Sequence, residues 1–330
     1  MSGPYAARIA VLGLLVASCG AEKDPAPQNE MNPDSPQELP RESLVVYASD
    51  NVTLDLDTLL PDFTASTGVR VTLERGAAPR IVDDVINHRG SPPADVLLTG
   101  DVAGISRAAD TGALRPIGDE NINQAAPDFL RDPDGYWVAA GVRLAAIVYD
   151  VRSVARSDIA GYASLAEPLF ADRLCLTSSS LAPNRALLGM LIEELGTRPA
   201  EIVVRGWVHN LALPVFPTQQ ALLEAVGSGS CKVGIVSVPL DSGDNEASVV
   251  GTLRYVTPTP AYVDIEGIGI ARHATHPELA AQFIEWLLTD ASAAPRLGDS
   301  DLSKLAKRNV GLAGRRAEEA AQLAERAAYR

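Results

Sequence analysis

An α/β fold of two lobes, each a mainly parallel sheet flanked by helices, is predicted by three observations. Short β-branched runs alternate with segments of helical apolar spacing from residue 44 to 288. A pair of extended apolar runs, GYWVAAGVRLAAIVYD (135–150), breaks that alternation midway, as a crossing between two bodies would. Apolar residues make up 46% of the 330, enough for one large domain or two linked lobes. A cleft between such lobes is a natural place for a small ligand.

The elements follow in order. Residues 8–19 (RIAVLGLLVASC) form a short apolar run behind one basic residue. That length cannot span a bilayer of roughly 30 Å, so residues 1–19 read as a secretion signal. Ala17 and Ser18 ahead of Cys19 resemble a lipobox, with Cys19 the lipidated residue; an ordinary cleaved signal with an incidental cysteine is the alternative. Residues 20–42, rich in Pro, Asn and Glu, read as a disordered tether. SLVVYAS (43–49) is a buried strand, 54–67 a helix stopped by Gly68, VRVTLE (69–74) a strand, and 81–88 a helix. ADVLL (94–98) is a strand and 102–111 a helix ending near Gly112. Beyond the crossing, helices are expected over 182–195, 200–211 and 219–226, interleaved with strands carrying Cys175 and Cys231. DIEGIGIA (264–271) is a strand, PELAAQFIEWLL (277–288) an amphipathic helix, and the end of the chain a charged, Ala-rich helix. The expected division is 43–142 plus about 262–296 for lobe 1, 143–261 for lobe 2, and 297–330 for a helical tail.

A net charge of −14 excludes a nucleic-acid partner, because nothing would neutralise phosphates. Once the signal is removed, Cys175 and Cys231 remain, and in an oxidising compartment such a pair is most simply a disulfide. Closing so long a loop would stabilise by roughly 4 kcal/mol. Two thiolate metal ligands would need further Cys or His at ligand spacing, and none occurs.

With these segments in order, the chain resembles the extracytoplasmic solute-binding proteins of ABC importers, specifically the ferric-ion-binding, transferrin-like periplasmic group with its type II periplasmic-binding fold. The carriers are LVVYASDN, SPPADVLLTGD, RDPDGYWVAAGVRLAAIVYD, RLCLTSS, RGWVHNLA with CKVGIVS, and GIGIARHATHPELAAQFIEWLL. Some members of this group carry a disulfide between the same two segments. The resemblance implies two lobes closing on a solute and presenting it to a membrane permease, by a protein that acts as a monomer.

The resemblance breaks at the iron ligands. Ferric ion needs hard, anionic oxygen donors. Where the family places two consecutive tyrosines, this chain has Pro239 and Leu240; where it places a histidine, Asn51; where some members place a glutamate, Gly100, with Asp101 beside it. Other positions persist. Tyr149 matches a metal-ligand tyrosine of part of the family, its alternative being a packed aromatic. Arg143 matches a basic residue near the bound anion, its alternative a salt bridge between lobes. Thr177, Ser178 and Ser179 match a hydroxyl-bearing anion loop, although 178–180 could equally be a helix N-cap run. Tyr47 matches a structural tyrosine, while Asp264 and Glu266 would add negative charge near the cleft. Asp241 and Asp244 are weaker candidates for a replacement metal site, and His273 and His276 read as surface groups.

Three classes of function follow. The leading one is a lipid-anchored solute-binding protein of the periplasm or cell envelope, capturing a small anion or a metal–anion complex, with Fe³⁺ as part of such a complex the only cofactor implied. Gly20 after the modified cysteine favours the outer membrane. The second is a sensor or interaction lipoprotein that keeps the fold; genuine iron(III) binding with substituted ligands is a further alternative within the first class. An enzyme is not expected: Ser178 has no assignable His, and neither G-x-S-x-G nor H-E-x-x-H occurs.

Overall fold

The computed structural model describes residues 43–240, 251–289, 302, 305 and 307–330. Cys19, the tether, Asp241 and Asp244 lie outside the described residues. In chain order the strands are β1 (Ser43–Ser49), β2 (Arg70–Gly76), β3 (Val96–Thr99), β4 (Leu114–Arg115), β5 (Val138–Asp150), β6 (Leu174–Cys175), β7 (Val233–Pro239), β8 (Leu253–Val256) and β9 (Val263–Ala271). The α-helices are α1 (Leu56–Thr67), α2 (Ala78–Ile86), α3 (Val102–Asp110), α4 (Glu120–Ala125), α5 (Ala182–Leu195), α6 (Thr197–His209), α7 (Gln219–Gly227), α8 (Pro277–Thr289), α9 (Val310–Arg315) and α10 (Ala317–Arg326).

The strands form one mixed sheet in the order β2-β1-β3-β9-β5-β7-β6, with β4 on β9 and β8 on β5. β1 pairs in parallel with β2 and β3, and β6 with β7, as βαβ connections require. The long strands β9 and β5 run antiparallel to their neighbours, so the sheet is mixed rather than mainly parallel. The two apolar runs meeting near Gly141 are one strand, β5, with a register shift against β9 between Ala139 and Gly141.

β5 explains why there are two cores. Leu144, Ala146 and Val148 belong to one buried cluster, with β1, β3, α2, α3 and α8. Ile147 and Tyr149, on the other face of the strand, belong to a second, with α5, α6 and α10. β7 divides its residues likewise, Val236 and Val238 to the first core and Val233 and Ile235 to the second. The Cys175–Cys231 disulfide, Cα atoms 6.0 Å apart, ties β6 to the turn just before β7.

Helix ends follow local chemistry. Asp55 caps α1 by accepting from the Thr58 N–H, and Gly68 closes it at φ 78°, a conformation that favours glycine. Asp101 caps α3 through the Gly104 N–H. α5 begins instead at Leu181 with no side-chain cap, so the serine run before it is not an N-cap. The C-terminal segment is two helices, not one. α9 is wedged between α3 and α5: a Cβ at Gly189 of α5 would lie 2.6 Å from Ala313 O, and one at Gly314 would lie 2.6 Å from Ser106 Oγ of α3. Small residues at these crossings let backbones approach closely.

Candidate functional site

The floor of the site lies where β5 and β9 pair. Arg143 stands opposite Asp264 on β9 and Pro239 on β7. Its guanidinium Nη2 donates to Gly100 O at 2.6 Å and to Asp264 Oδ2 at 3.2 Å. Asp264 Oδ1 accepts from the Val102 and Ile265 N–H groups at 3.1 and 2.9 Å. Burial pushes the Asp264 carboxyl up to about 6, against the opposing pull of Arg143, with Asp101 adding to the rise. One turn of the pleat away, buried Glu266 gathers the Thr53 and Leu54 N–H groups and the Thr53 hydroxyl, fixing the loop after β1.

Above this floor, the loop from β3 to α3 meets the loop from β1 to α1. Asn51 Nδ2 donates to Asp101 Oδ2 at 3.2 Å, while Asp101 Oδ1 caps α3 at 2.7 Å from Gly104 N. Asn51 Oδ1 is buried with no hydrogen-bond partner. Gly100 donates its N–H to Ser49 Oγ at 2.8 Å, and a Cβ there would lie 2.4 Å from Asn51 O. The loop is therefore closed to any side chain at position 100, a glutamate included.

These loops form one wall of a cavity of about 410 Å³, within the size range of small-molecule sites. Asp50, Asn51, Asp101, Val102 and Asp264 line one side; Ser180, Leu181 and Arg185 from the start of α5 line another, with Ala313 and Ala317 completing it. An adjoining cavity of about 600 Å³ shares Asp101 and Arg185 and runs on between α3 and α9.

The structure brings Asn51 and Asp101 to this cleft and puts Arg143 beneath it, in an ion pair with Asp264. It does not bring Tyr149. Six residues beyond Arg143, roughly 20 Å along the strand, that side chain is 3% exposed in the second core and absent from the cleft lining. Thr177, Ser178 and Ser179 also lie off the lining, and their backbone groups are engaged. Ser178 N donates to Phe216 O at 2.9 Å and Ser179 N to Arg330 O at 3.3 Å. Ser179 Oγ donates to Tyr329 O at 2.9 Å, the Tyr329 hydroxyl donates to Thr177 O at 2.8 Å, and Asn184 Nδ2 donates to Thr177 Oγ1 at 2.7 Å. The loop's hydrogen-bond capacity goes to the C-terminal segment and α5. His276 donates its backbone N–H to Asp95, and the His273 ring packs edge-on to His88, apart from the cleft.

Sequence reasoning missed Asp50 and Arg185. Arg185 carried a signal: a cation in the first turn of a helix opposes the helix dipole, a local rule broken without structural gain. Among the described residues no cluster of three or more His, Cys, Asp or Glu is arranged to hold a metal.

A two-lobed α/β fold with a polar cleft beside its crossing strands defines a solute-binding protein. The profile described as bacterial extracellular solute-binding protein matches residues 44–295, and the chain belongs to that family. It is 30% identical over 290 residues to iron uptake protein A1 of Synechocystis sp. (strain ATCC 27184 / PCC 6803 / Kazusa), covering 85% of this chain and 78% of that one. The Fe(3+)-binding periplasmic protein of Serratia marcescens is 22% identical, covering 74% and 73%. Among solved structures, the Trichodesmium FutA complex with iron and citrate superposes with a TM-score of 0.77 at 25% identity, covering 87% of this chain and all of that one. The ferric binding protein of Campylobacter jejuni gives 0.75 at 20% identity, covering 87% and 100%.

Proposed function

We propose that this protein captures a small anion or a metal–anion complex in the cleft between the β3–α3 loop and the start of α5, and hands it to an ABC permease. Family membership and the iron-related names of its relatives support the solute-binding part. One observation carries the rest: no described tyrosine lines the cleft, so no phenolate is available to grip bare ferric ion. Tyr149, Tyr162, Tyr262 and Tyr329 are in the second core, Tyr136 and Tyr255 pack half-buried against the first, Tyr47 is buried in the first with its hydroxyl on Pro92 O, and residues 241–250 contain neither Tyr nor His. A solute that brings its own donors, such as a ferric hydroxycarboxylate, suits a cleft of carboxylates, an amide and one arginine.

The reading places the protein outside the cytoplasm, tethered through lipid on Cys19 by residues 20–42 and acting as a monomer, with lobes divided as 43–142 plus about 262–296 and 143–261. Isothermal titration with ferric citrate, citrate, phosphate and ferric nitrilotriacetate tests it. The expected result is binding of ferric citrate or of a free anion. Nanomolar uptake of iron stripped from nitrilotriacetate, with no anion retained, would refute it.

A further inference from the structure

The charged groups lining the cleft differ in how far each is already satisfied. Asp264 is paired with Arg143 and holds two backbone N–H groups. Asp101 caps α3 and accepts from Asn51. Arg107 and Arg315, which line the adjoining cavity, are paired with Asp83 at 2.8 Å and Asp110 at 3.2 Å. Two groups remain. Asp50, exposed at the end of β1, uses only its backbone N–H, which donates to Gly76 O at 2.9 Å. Arg185, exposed in the first turn of α5, forms no ion pair among the described residues, although Asp83, Asp101, Asp110 and Glu318 line the same adjoining cavity. Asp50 and Arg185 face one cavity with opposite charges and do not pair with each other.

Leaving a cation without an ion pair at a helix N-terminus works against the dipole of that helix, and among the described residues the carboxylates of the adjoining cavity do not come within pairing distance of it. A compensating charge supplied by the solute accounts for both free groups at once. Resting on the solute-binding reading above, we infer that Arg185 and Asp50 form a two-pronged recognition site for a dipolar solute: a carboxylate is taken by the Arg185 guanidinium, and a positive centre on the same solute is presented to Asp50. Guanidinium suits a carboxylate because its planar fork donates two parallel hydrogen bonds. The positive centre has two chemical sources, the metal of a carboxylate chelate or the ammonium group of an amino acid, and both set a positive centre beside a carboxylate. Arg143 is not the anion receptor on this account, since its guanidinium is committed to Asp264 and Gly100 beneath the cleft.

The test is isothermal titration of the full-length protein with citrate, ferric citrate and L-glutamate, using wild type, Arg185→Gln, Asp50→Asn and, as control, Arg198→Gln on α6. All three positions are exposed, so folding is expected to survive, with circular dichroism and melting temperature as the check. Arg185→Gln should weaken every bound probe by about tenfold or more. Asp50→Asn should weaken only probes with a positive centre, leaving citrate unchanged or tighter, and Arg198→Gln should change nothing. Ferric citrate as the bound dipolar probe assigns the positive centre to the metal, and glutamate assigns it to the ammonium group. Binding that persists within twofold in both cleft variants overturns the inference while leaving the solute-binding reading intact. A wild type inert to all probes overturns both.

Discussion

Asp264 and Asp150 give the protein opposite responses to pH. Burial raises the Asp264 carboxyl to about 6, so the folded state holds a proton that the unfolded state releases near pH 4. Its contribution to stability is complete below pH 4 and is lost as pH rises through 6. Asp150 runs the other way. Hydrogen bonds from Arg152 hold it down at about 2, so its contribution is complete above pH 4 and is lost as pH falls toward 2. Chemical denaturation of the wild type should show stability falling by on the order of 2–3 kcal/mol between pH 4 and 7 from the Asp264 carboxyl. In Asp264→Asn that limb should flatten, at a lower absolute stability because Arg143 keeps only Gly100 O. Gly100→Glu would add a carboxylate beside Asp101, but its Cβ meets Asn51 O at 2.4 Å. That variant should lose about 1–3 kcal/mol in a denaturant melt and gain no iron affinity by titration. That positions 51, 100, 239 and 240 carry Asn, Gly, Pro and Leu, none of them a strong ferric-ion donor, was legible residue by residue. That the glycine is locked in by Asn51's carbonyl was not, because the contact joins the loops after two neighbouring strands, β1 and β3, that lie far apart in sequence. Tyr149 shows the same limit: that it shares a face of β5 with Arg143 is visible, but which core lies under each end of the strand is a tertiary fact.

Among elements, those written by local rules were legible and those set by distant partners were not. α1 stops at Gly68, α5 and α8 carry apolar spacing, and β1 is a β-branched run, so each was readable from its own residues. The antiparallel course of β9 and β5 depends on which strands they meet, which no local pattern records. Nor could the serine loop be read alone, because its groups are engaged by Tyr329 and Arg330, roughly 150 residues away. The disulfide was readable from two cysteines in an exported chain. Its sequence separation of 56 sets its worth: Cys175→Ser with Cys231→Ser should lower unfolding free energy by about 4 kcal/mol. Reductant should shift the wild-type melting temperature and leave the double variant unmoved. Gly189→Ala tests the α5–α9 crossing. Helix propensity alone would favour alanine by about 1 kcal/mol, but the clash with Ala313 O should make the change destabilising by about 1–3 kcal/mol in a denaturant melt.

On the scale of the whole molecule, one sheet serves two cores, and the cleft opens where its long crossing strands carry a buried ion pair between them. A solute bound to the folded form alone must raise the melting temperature with concentration, by about 2.7 kcal/mol of stabilisation at a hundredfold excess over Kd. Differential scanning calorimetry with ferric citrate is expected to show that rise, and to show less of it in Arg185→Gln.

The family match ends at residue 295, yet α9, α10 and the residues after them lie beyond it and supply Ala313, Ala320, Leu323, Ala324 and Tyr329 to the second core. Anyone excising this protein at the apparent family border would strip a helix from between its two halves and bare the apolar flank of α5. Such a fragment should come out insoluble, whereas one reaching the final tyrosine keeps its seal.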